Sequence, residues 1–363
     1  MIIQFTCNIP GITRYVVAFS MEAAAIRAVH LDTGSGIIML PNDHKVLRAS
    51  ALLGLSYSVN DILFTEIEKM LSAMGSESIL PDLDGERELI WLKNGIRYRY
   101  GFDIRNGRIN AEWFYYKDKR ETYIFSKRED LFEVNSRYKD LTELVKRHLA
   151  GPKNFLFGTA VTLFPEGLRD LLPHDFIKTC NRKTLIQTES FNLSSDLRNE
   201  LQTCLKAGDP SFESVSLPSG GTVTVRNLIF KYRNCQPLAF HELEQEIRDE
   251  ILILLTVLAP LKKQSTLILH GLWDLLNPQL QRKFLQMYNS PVQNAMNSQL
   301  IFSTLNPYSV FSSIARRDQI WLTQKAEDGT FQIMSLCDFR GSGELWRKGR
   351  FPEAWLKGEI LLI

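Results

Sequence analysis

Three features that would assign the chain to a particular class of protein are missing from its sequence. The five cysteines are widely scattered and include no C-x-x-C pair, which fits a reducing cytosol better than a disulfide framework. The most apolar run, residues 251–260, is too short to span a bilayer. The opening MIIQFTCNIPGITR has no positively charged start followed by a long apolar stretch, so we do not expect a signal peptide. The sequence therefore predicts a soluble cytoplasmic protein without a membrane partner.

A strong excess of charge of either sign is also missing. The 43 basic and 41 acidic residues leave a net charge of +2, which provides no global basic field for nucleic acid or an anionic membrane. The apolar share of 44% and the charged share of 23% are ordinary for a soluble globular protein. A chain of 363 residues is long enough for one large α/β domain with an insertion, or for two domains.

The first part of the chain contains both strand-like and helix-like patterns. Residues 1–20 predict two short strands around a Pro-Gly turn. Residues 46–70, VLRASALLGLSYSVNDILFTEIEKM, predict an apolar strand, a tight loop from Gly54 and an amphipathic helix. This layout is typical of a phosphate-binding loop, although the glycine–lysine–serine that would hold the phosphates is absent.

Residues 88–126 are rich in strand formers and predict an antiparallel meander, with hairpin turns at Asn94-Gly95 and Asn106-Gly107. Basic and aromatic residues are interleaved along this stretch in a way that would suit contact with RNA. Alternation on a half-exposed sheet explains the same pattern more simply. Nucleic acid is therefore the weaker prediction for this surface.

Residues 137–217 predict a polar and mainly helical insertion, interrupted by Gly151-Pro152, Pro165 and Pro173. After it, strand-like and helix-like segments alternate, which favours a mainly parallel α/β sheet. The elements predicted in this last part are helices at 240–258 and 278–289 and strands at Thr266–Leu269, Gln299–Thr304, Gln319–Thr323 and Phe331–Ser335.

The most specific pattern lies near the end of the chain. NSQLIFST followed by IARRDQIWLTQKAEDGTFQIMSLCDF resembles the C-terminal part of the ATPases of the overcoming-lysogenization-defect type, ABC-class ATPases common in bacterial anti-phage systems. FSMEA, VLRASALLG and WLKG resemble further parts of this family, so the resemblance spans essentially the whole chain, is weakest between 130 and 260, and leaves no room for a fused nuclease domain. The matching residues of the C-terminal stretch are Arg316, Arg317, Asp318, Gln319, Ile320, Trp321, Lys325, Gly329, Ser335, Leu336, Asp338 and Phe339.

The resemblance implies a fold class of α/β type: an ABC-class P-loop NTPase-like head with an antiparallel β subdomain and a helical insertion. Residues 1–136 would form the N-terminal part of the head with the β meander, residues 137–217 the insertion, and residues 218–363 the C-terminal part of the head. Because a fold alone does not determine function, the catalytic positions have to be compared one by one.

The phosphate loop of the family reads G-x-x-x-S-G-K-[ST], and only part of it is retained here. Gly54 and Ser58 keep their places, whereas Val59 stands at the second glycine, Asn60 at the lysine and Asp61 at the hydroxyl that binds Mg²⁺. Valine resists the close backbone approach that glycine allows, asparagine removes the cation, and aspartate brings a carboxylate where phosphates would lie. The Ser-x-x-Asp spacing resembles a capping box, so we expect these side chains to meet the helix N–H groups.

The other catalytic positions of the family are altered as well. His270 and Gly271 stand where an Asp-Glu pair would organise Mg²⁺ and the attacking water, and Leu305 replaces the switch histidine. Asp274 lies four residues too late, and we expect a helical turn to point it elsewhere. His270 alone suggests a metal ligand or a base, but a capped histidine at a strand end is favoured because no second ligand lies at a useful spacing.

The dimer signature, normally Ser-Gly at the start of a helix, should fall at 238–245 and is absent there. Ser219-Gly220 precedes a predicted strand and is interpreted as a turn. HELEQ from His241 lacks the second histidine of a zinc-protease helix, and PDLDGERE at 81–88 is interpreted as an acidic loop rather than a nuclease metal site. The sequence therefore predicts neither a metal nor a cofactor.

The combined loss of lysine, Mg²⁺ ligands, base, switch and signature predicts a pseudo-ATPase without enzymatic activity. Its predicted role is that of a scaffold, regulator or sensor in bacterial anti-phage defence, bound to a protein effector such as a nuclease or toxin, or to itself as a homo-oligomer. Two alternatives stay open. The chain could complete a composite site with an intact ATPase paralogue, or it could bind nucleic acid or accompany a nuclease through the meander and the basic tail at 347–350.

Overall fold

The computed structural model describes residues 1–25, 36–40, 44–76, 78–129, 131–138, 154–158, 172–173, 176–190, 193–217, 224–311 and 316–360. Its two largest β-sheets have seven and six strands, and a three-stranded sheet and a two-stranded sheet accompany them. No helix in these ranges is both long enough and apolar enough to cross a membrane.

The seven-stranded sheet is antiparallel throughout and contains the predicted meander. Its strands are β1 (Ile2–Asn8), β2 (Val17–Ser20), β6 (Gly85–Lys93), β7 (Ile96–Arg105), β8 (Arg108–Lys117), β9 (Glu121–Arg128) and β10 (Leu131–Val134). They are ordered β10-β9-β8-β7-β6-β1-β2. Both hairpin turns fall at the predicted positions, with φ of 51° and 81° at Asn94 and Gly95 and of 51° and 66° at Asn106 and Gly107. Two consecutive positive φ angles match the twist of the paired strands.

The six-stranded sheet is parallel except for its last strand. It consists of β5 (Ala49–Gly54), β11 (Ile177–Cys180), β15 (Thr266–Leu269), β16 (Gln299–Thr304), β17 (Ile320–Lys325) and β18 (Phe331–Ser335). The order is β11-β15-β16-β5-β17-β18, and only the pairing of β17 with β18 is antiparallel. The carboxyl ends of five parallel strands therefore meet at one edge of the sheet, named the carboxyl edge below. These two sheets confirm the predicted α/β class with an antiparallel subdomain.

The remaining elements surround these sheets. The other strands are β3 (Ile37–Met39), β4 (Lys45–Leu47), β12 (Phe212–Ser216), β13 (Ile229–Tyr232) and β14 (Leu238–Ala239). The helices are α1 (Tyr57–Met74), α2 (Arg182–Leu185), α3 (Ser195–Gly208), α4 (Gln245–Leu258), α5 (Pro278–Asn289), α6 (Pro307–Phe311), α7 (Ser342–Arg347) and α8 (Phe351–Leu356). The helix predicted at 240–258 begins later, because Glu242 accepts a 2.7 Å bond from the Ala239 N–H and closes a separate turn.

The range 137–217, predicted as a mainly helical insertion, contributes a strand to the core. Ile177–Cys180 is the edge strand of the parallel sheet and pairs with Thr266–Leu269. The prediction missed this strand because it has four residues and its partner lies far away in the sequence. Helices α2 and α3 follow it, as expected for a helical region. Residues 139–153 and 159–171 lie outside the described ranges, so the domain boundaries stay a prediction.

The parallel sheet separates two hydrophobic cores. Along β5, Ala49, Ala51 and Leu53 belong to the core shared with α3, α4 and α5, whereas Leu52 belongs to the core shared with α1 and the antiparallel sheet. Alternate residues of a strand point to opposite faces, so the largely apolar β5 is buried on both sides. Helix α1 is thereby fixed between the two sheets, with its first residue at the carboxyl edge.

Two glutamines in the family-like stretches connect distant strands. Gln299 accepts a hydrogen bond from the Ile2 N–H at 2.8 Å and donates to the carbonyls of Ile2 and Leu47, both at 3.1 Å. Gln319 donates to the Ala49 carbonyl at 2.9 Å. Both side chains are fully buried, where an amide needs such partners. These residues of the diagnostic stretch therefore serve the architecture.

Candidate functional site

The carboxyl edge brings together residues that are far apart in the sequence. Strand β5 ends there at Gly54, β15 ends one residue before His270, and β16 ends one residue before Leu305. Helix α1 begins beside them and places Asn60 and Asp61 in its first two turns. Sequence-predicted site residues from three strand ends and one helix thus form a single cluster.

The side chain of Asn60 is buried inside this cluster. Its Nδ2 donates to the carbonyl of Thr304 at 3.4 Å, and its Oδ1 accepts a hydrogen bond from the hydroxyl of Thr323. Thr304 ends β16 and Thr323 lies in β17, the two strands that flank β5. The amide therefore connects the two strands that flank β5, and no part of Asn60 is exposed to solvent.

Gly54 is needed because the chain is crowded at this point. A methyl group added to Gly54 would collide with the amide of Asn60 and would lie 2.6 Å from Thr323 Oγ1. Any larger side chain would have to displace both groups. The side-chain amide of Asn60 therefore fills the space that the loop encloses.

The start of α1 corrects the expected capping box. The helix begins at Tyr57 after Ser56, which is extended with φ −151° and ψ 150° and makes no side-chain cap. Ser58 therefore lies within the first turn, where its hydroxyl pairs with the Ser56 hydroxyl at 3.0 Å. Val59 packs into the core, and Asp61, one turn further on, is turned away from the helix start. The capping prediction was wrong because the helix begins at Tyr57. Ser56, and not Ser58, therefore occupies the N-cap position.

His270, directly after the end of β15, pairs with Asp61. The Asp61 carboxylate contacts His270 Nε2, and Phe64 lies edge-on to the imidazole with ring centroids 5.3 Å apart. The backbone N–H of His270 donates to the carbonyl of Cys180 at 2.8 Å, which continues the sheet. In the described ranges, no three His, Cys, Asp or Glu side chains are grouped as metal ligands.

Asp274 is the residue of the cluster that the sequence analysis misplaced. Its carboxylate accepts hydrogen bonds from Tyr57 Oη at 2.6 Å, Thr304 Oγ1 at 2.5 Å and the backbone N–H of Leu305 at 2.8 Å. The expected helical turn is a single 3-10 turn, Trp273–Leu275, which aims this side chain at the carboxyl edge. The signal available in the sequence was a carboxylate within a few positions of the end of a buried strand, a place where side chains can reach the carboxyl edge.

Gly271 and Leu305 complete the geometry of the cluster through their backbones. Gly271 has a φ of 64°, a left-handed value that glycine tolerates best, and its N–H donates to Ser303 Oγ at 3.0 Å. Leu305 contributes the N–H that Asp274 accepts, while its side chain is half-buried. Neither residue offers a side chain that could act on a phosphate.

The electrostatics of the cluster follow from its burial. Burial, followed by the hydrogen bond to Asp274, raises the pKa of Tyr57 well above its ordinary value, so the phenol remains a donor. Both oxygens of Asp274 are occupied by donors. A carboxylate that already accepts three hydrogen bonds is poorly prepared to bind Mg²⁺, which demands oxygen ligands in a strict geometry.

The region of the expected dimer signature has a different structure. Residues 238–245 contain the two-residue strand β14, one 3-10 turn and the first residue of α4. Ser219-Gly220 lies outside the described residues. In the acidic stretch at 81–88, Asp84 accepts hydrogen bonds from the N–H groups of Asn106 and Gly107 at 3.0 and 2.9 Å, so it supports a hairpin turn.

The surfaces considered for nucleic acid carry acidic groups. A groove of about 510 Å³ on the meander is lined by charged residues of both signs: Glu86, Glu88, Asp103 and Glu129, and Arg99, Lys127 and Arg128. Burial and the two neighbouring carboxylates raise the pKa of Glu86. In the basic tail, Lys348 is paired with Glu344 at 2.5 Å. These surfaces carry mixed charge and no basic field of the kind that dominates nucleic-acid affinity, so nucleic acid stays the weaker prediction.

Comparison with known proteins gives a likeness in fold. No protein-family model matches the sequence. No curated protein matches it either. Among solved structures, the SMC head domain from Thermotoga maritima matches with a TM-score of 0.46 and 11% identity, covering 92% of this chain and 98% of that chain. The Smc head domain bound to the C-terminal domain of ScpA, from Pyrococcus furiosus, matches with a TM-score of 0.44 and 8% identity, covering 96% and 99%.

Proposed function

We propose that this chain is an ATPase-head-like protein that does not hydrolyse ATP and that acts as a scaffold, regulator or sensor through a bound protein effector. The observation that carries the proposal is the buried amide of Asn60, which fills the space beside Gly54 and is hydrogen-bonded toward β16 and β17. In the family motif, the lysine at this position directs a cation toward phosphates. Here the side chain is directed into the protein.

Two further contacts support the proposal. Asp61 is in contact with His270, and Asp274 is occupied by three donors. These carboxylates lie at the carboxyl edge, where a nucleotide-binding head would need groups free to hold Mg²⁺. Their engagement with neighbouring side chains favours a fixed structure over a cycle of nucleotide binding and release.

The proposed biological setting is a bacterial anti-phage defence system, and it rests on the sequence resemblance around residues 316–339. The effector would be a nuclease or toxin encoded beside the gene. An operon with this gene is expected to reduce phage plaque counts, and an early stop codon in the gene is expected to remove the protection. Unchanged plaque counts would contradict the defence role while leaving the absence of hydrolysis unaffected.

The decisive experiment is a titration of the purified protein with ATP and Mg²⁺, following heat of binding and phosphate release together. We expect neither saturable binding nor release above a blank, both for the wild type and for Ser58→Ala, a control at an exposed hydroxyl. The triple variant Val59→Gly, Asn60→Lys, Asp61→Ser rebuilds the family motif and is measured after circular dichroism shows that it is folded. Tight binding or turnover by the wild type would overturn the proposal.

A further inference from the structure

A cleft of about 450 Å³ lies beside the cluster, between α1 and the start of α2. Asp61 and Glu68 line it from α1, and Arg182 and Lys183 line it from the opposite side. Glu68 follows Asp61 by seven positions, which is close to two helical turns, so both lie on the same face of α1. His270 forms part of the base of the cleft. Tyr57, Asp61, His270 and Gly271 of the cluster also line this cleft, and the charges of its walls are present whether or not the chain binds nucleotide.

The two walls of the cleft carry opposite charges that do not meet. Asp61 and Glu68 make one wall acidic, and the exposed side chains of Arg182 and Lys183 make the other basic. Among the described residues, no ion pair joins the two walls. Asp61 instead contacts His270 at the base of the cleft. Opposite charges held apart across an open cleft can be bridged by a ligand that carries both.

The acidic wall also lacks hydrogen-bond donors. Glu68 Oε1 and His270 Nδ1 are buried and have no hydrogen-bond partner in the described structure. Buried polar atoms in proteins almost always have a partner, and an exception needs an explanation. The described residues therefore give Glu68 Oε1 no hydrogen-bond donor, and this part of the acidic wall is left without a protein partner.

We propose that this cleft binds a small zwitterion of the amino-acid type. Its ammonium or guanidinium group would lie against Asp61 and Glu68, and its carboxylate against Arg182 and Lys183. A purely cationic ligand would leave the basic wall unpaired, and a purely anionic one the acidic wall. The volume of the cleft suits a molecule of this size together with a few waters.

Isothermal titration with three zwitterions, L-arginine, L-lysine and γ-aminobutyrate, tests the proposal, with methylguanidinium and acetate as half-ligands. We expect at least one zwitterion to bind at 1:1 stoichiometry and at least tenfold more tightly than either half-ligand. Glu68→Gln and Arg182→Gln should each lower the affinity for that zwitterion at least tenfold. The matched controls Glu359→Gln and Lys206→Gln, at exposed positions outside the cleft, should not.

Three results would overturn the inference: no saturable binding of any zwitterion, equal affinity for a zwitterion and a half-ligand, or binding that survives both cleft substitutions. Each variant is first checked by circular dichroism and thermal unfolding. Because Glu68 and Arg182 are not fully buried, their neutral replacements should remain folded. ATP is absent from the titrations, so the result is independent of whether the chain binds nucleotide.

Discussion

Tyr57 donates a 2.6 Å hydrogen bond to Asp274 across 217 residues of sequence. The bond links the first residue of α1 to the turn after β15, and the same carboxylate holds the end of β16 through Thr304 and Leu305. The carboxyl edge is therefore tied together by protein side chains. This arrangement motivates the first two predictions.

Removing the phenolic hydroxyl of Tyr57 should measurably destabilise the folded protein at the carboxyl edge. Tyr57→Phe is expected to lower the free energy of unfolding by about 1 kcal/mol, because a carboxylate loses one donor while keeping two. The double variant with Asp274→Asn should cost less than the sum of the single variants, as for residues in direct contact. Urea denaturation of the four proteins measures this coupling. Strict additivity would contradict the contact.

Stability should decline at alkaline pH. The pKa of Tyr57 is raised in the folded protein, so the phenol keeps its proton there while an unfolded tyrosine releases it near its ordinary value of 10.0. The free energy of unfolding is therefore expected to fall as the pH rises above about 10. Burial likewise raises the pKa of Tyr232 to about 12, so Tyr57→Phe should reduce the fall without abolishing it. Thermal unfolding between pH 8 and 11 gives the comparison.

The crowding between Gly54 and Asn60 predicts a rescue. Gly54→Ala should destabilise the protein by about 2 kcal/mol, because the added methyl group meets a buried amide and a hydroxyl. In an Asn60→Ala background the same substitution should cost less, since the amide is gone and only Thr323 remains in its way. Chemical denaturation of both pairs tests this difference. An equal cost in the two backgrounds would show that the amide does not fill the loop.

A buried carboxylate on the meander holds a separate segment of the chain. Glu112 accepts hydrogen bonds from the N–H groups of Leu156 and Phe157, at 2.8 and 2.9 Å, and from Tyr100 Oη at 2.9 Å. Glu112→Leu should cost about 3 kcal/mol, because three buried donors lose their acceptor. Hydrogen exchange at residues 156 and 157 should accelerate more than at β7. Glu121→Leu, at an exposed position of β9, is the control and should change the free energy of unfolding little.

Local patterns were sufficient for much of the fold. The helix predicted after Gly54 is α1, which buries Leu63, Ile67, Met70 and Leu71 on one face. The Asn-Gly turns, the alternation of the meander and the strand–helix alternation of the last third depend on neighbouring residues, so a short window of sequence contains them. β11 was missed because four residues carry too little pattern to reveal a partner elsewhere in the chain.

What the sequence by itself determined is the chemistry that is present: no lysine at 60, no carboxylate pair at 270 and 271, and no histidine at 305. Tertiary structure alone decided where the remaining groups point. The amide of Asn60 accepts a hydrogen bond from Thr323, 263 residues away in the sequence. The side chain of Asp274 lies at the carboxyl edge because a 3-10 turn replaces a helical one. Both outcomes depend on strands that become neighbours only when the sheet forms, and no local pattern encodes that approach.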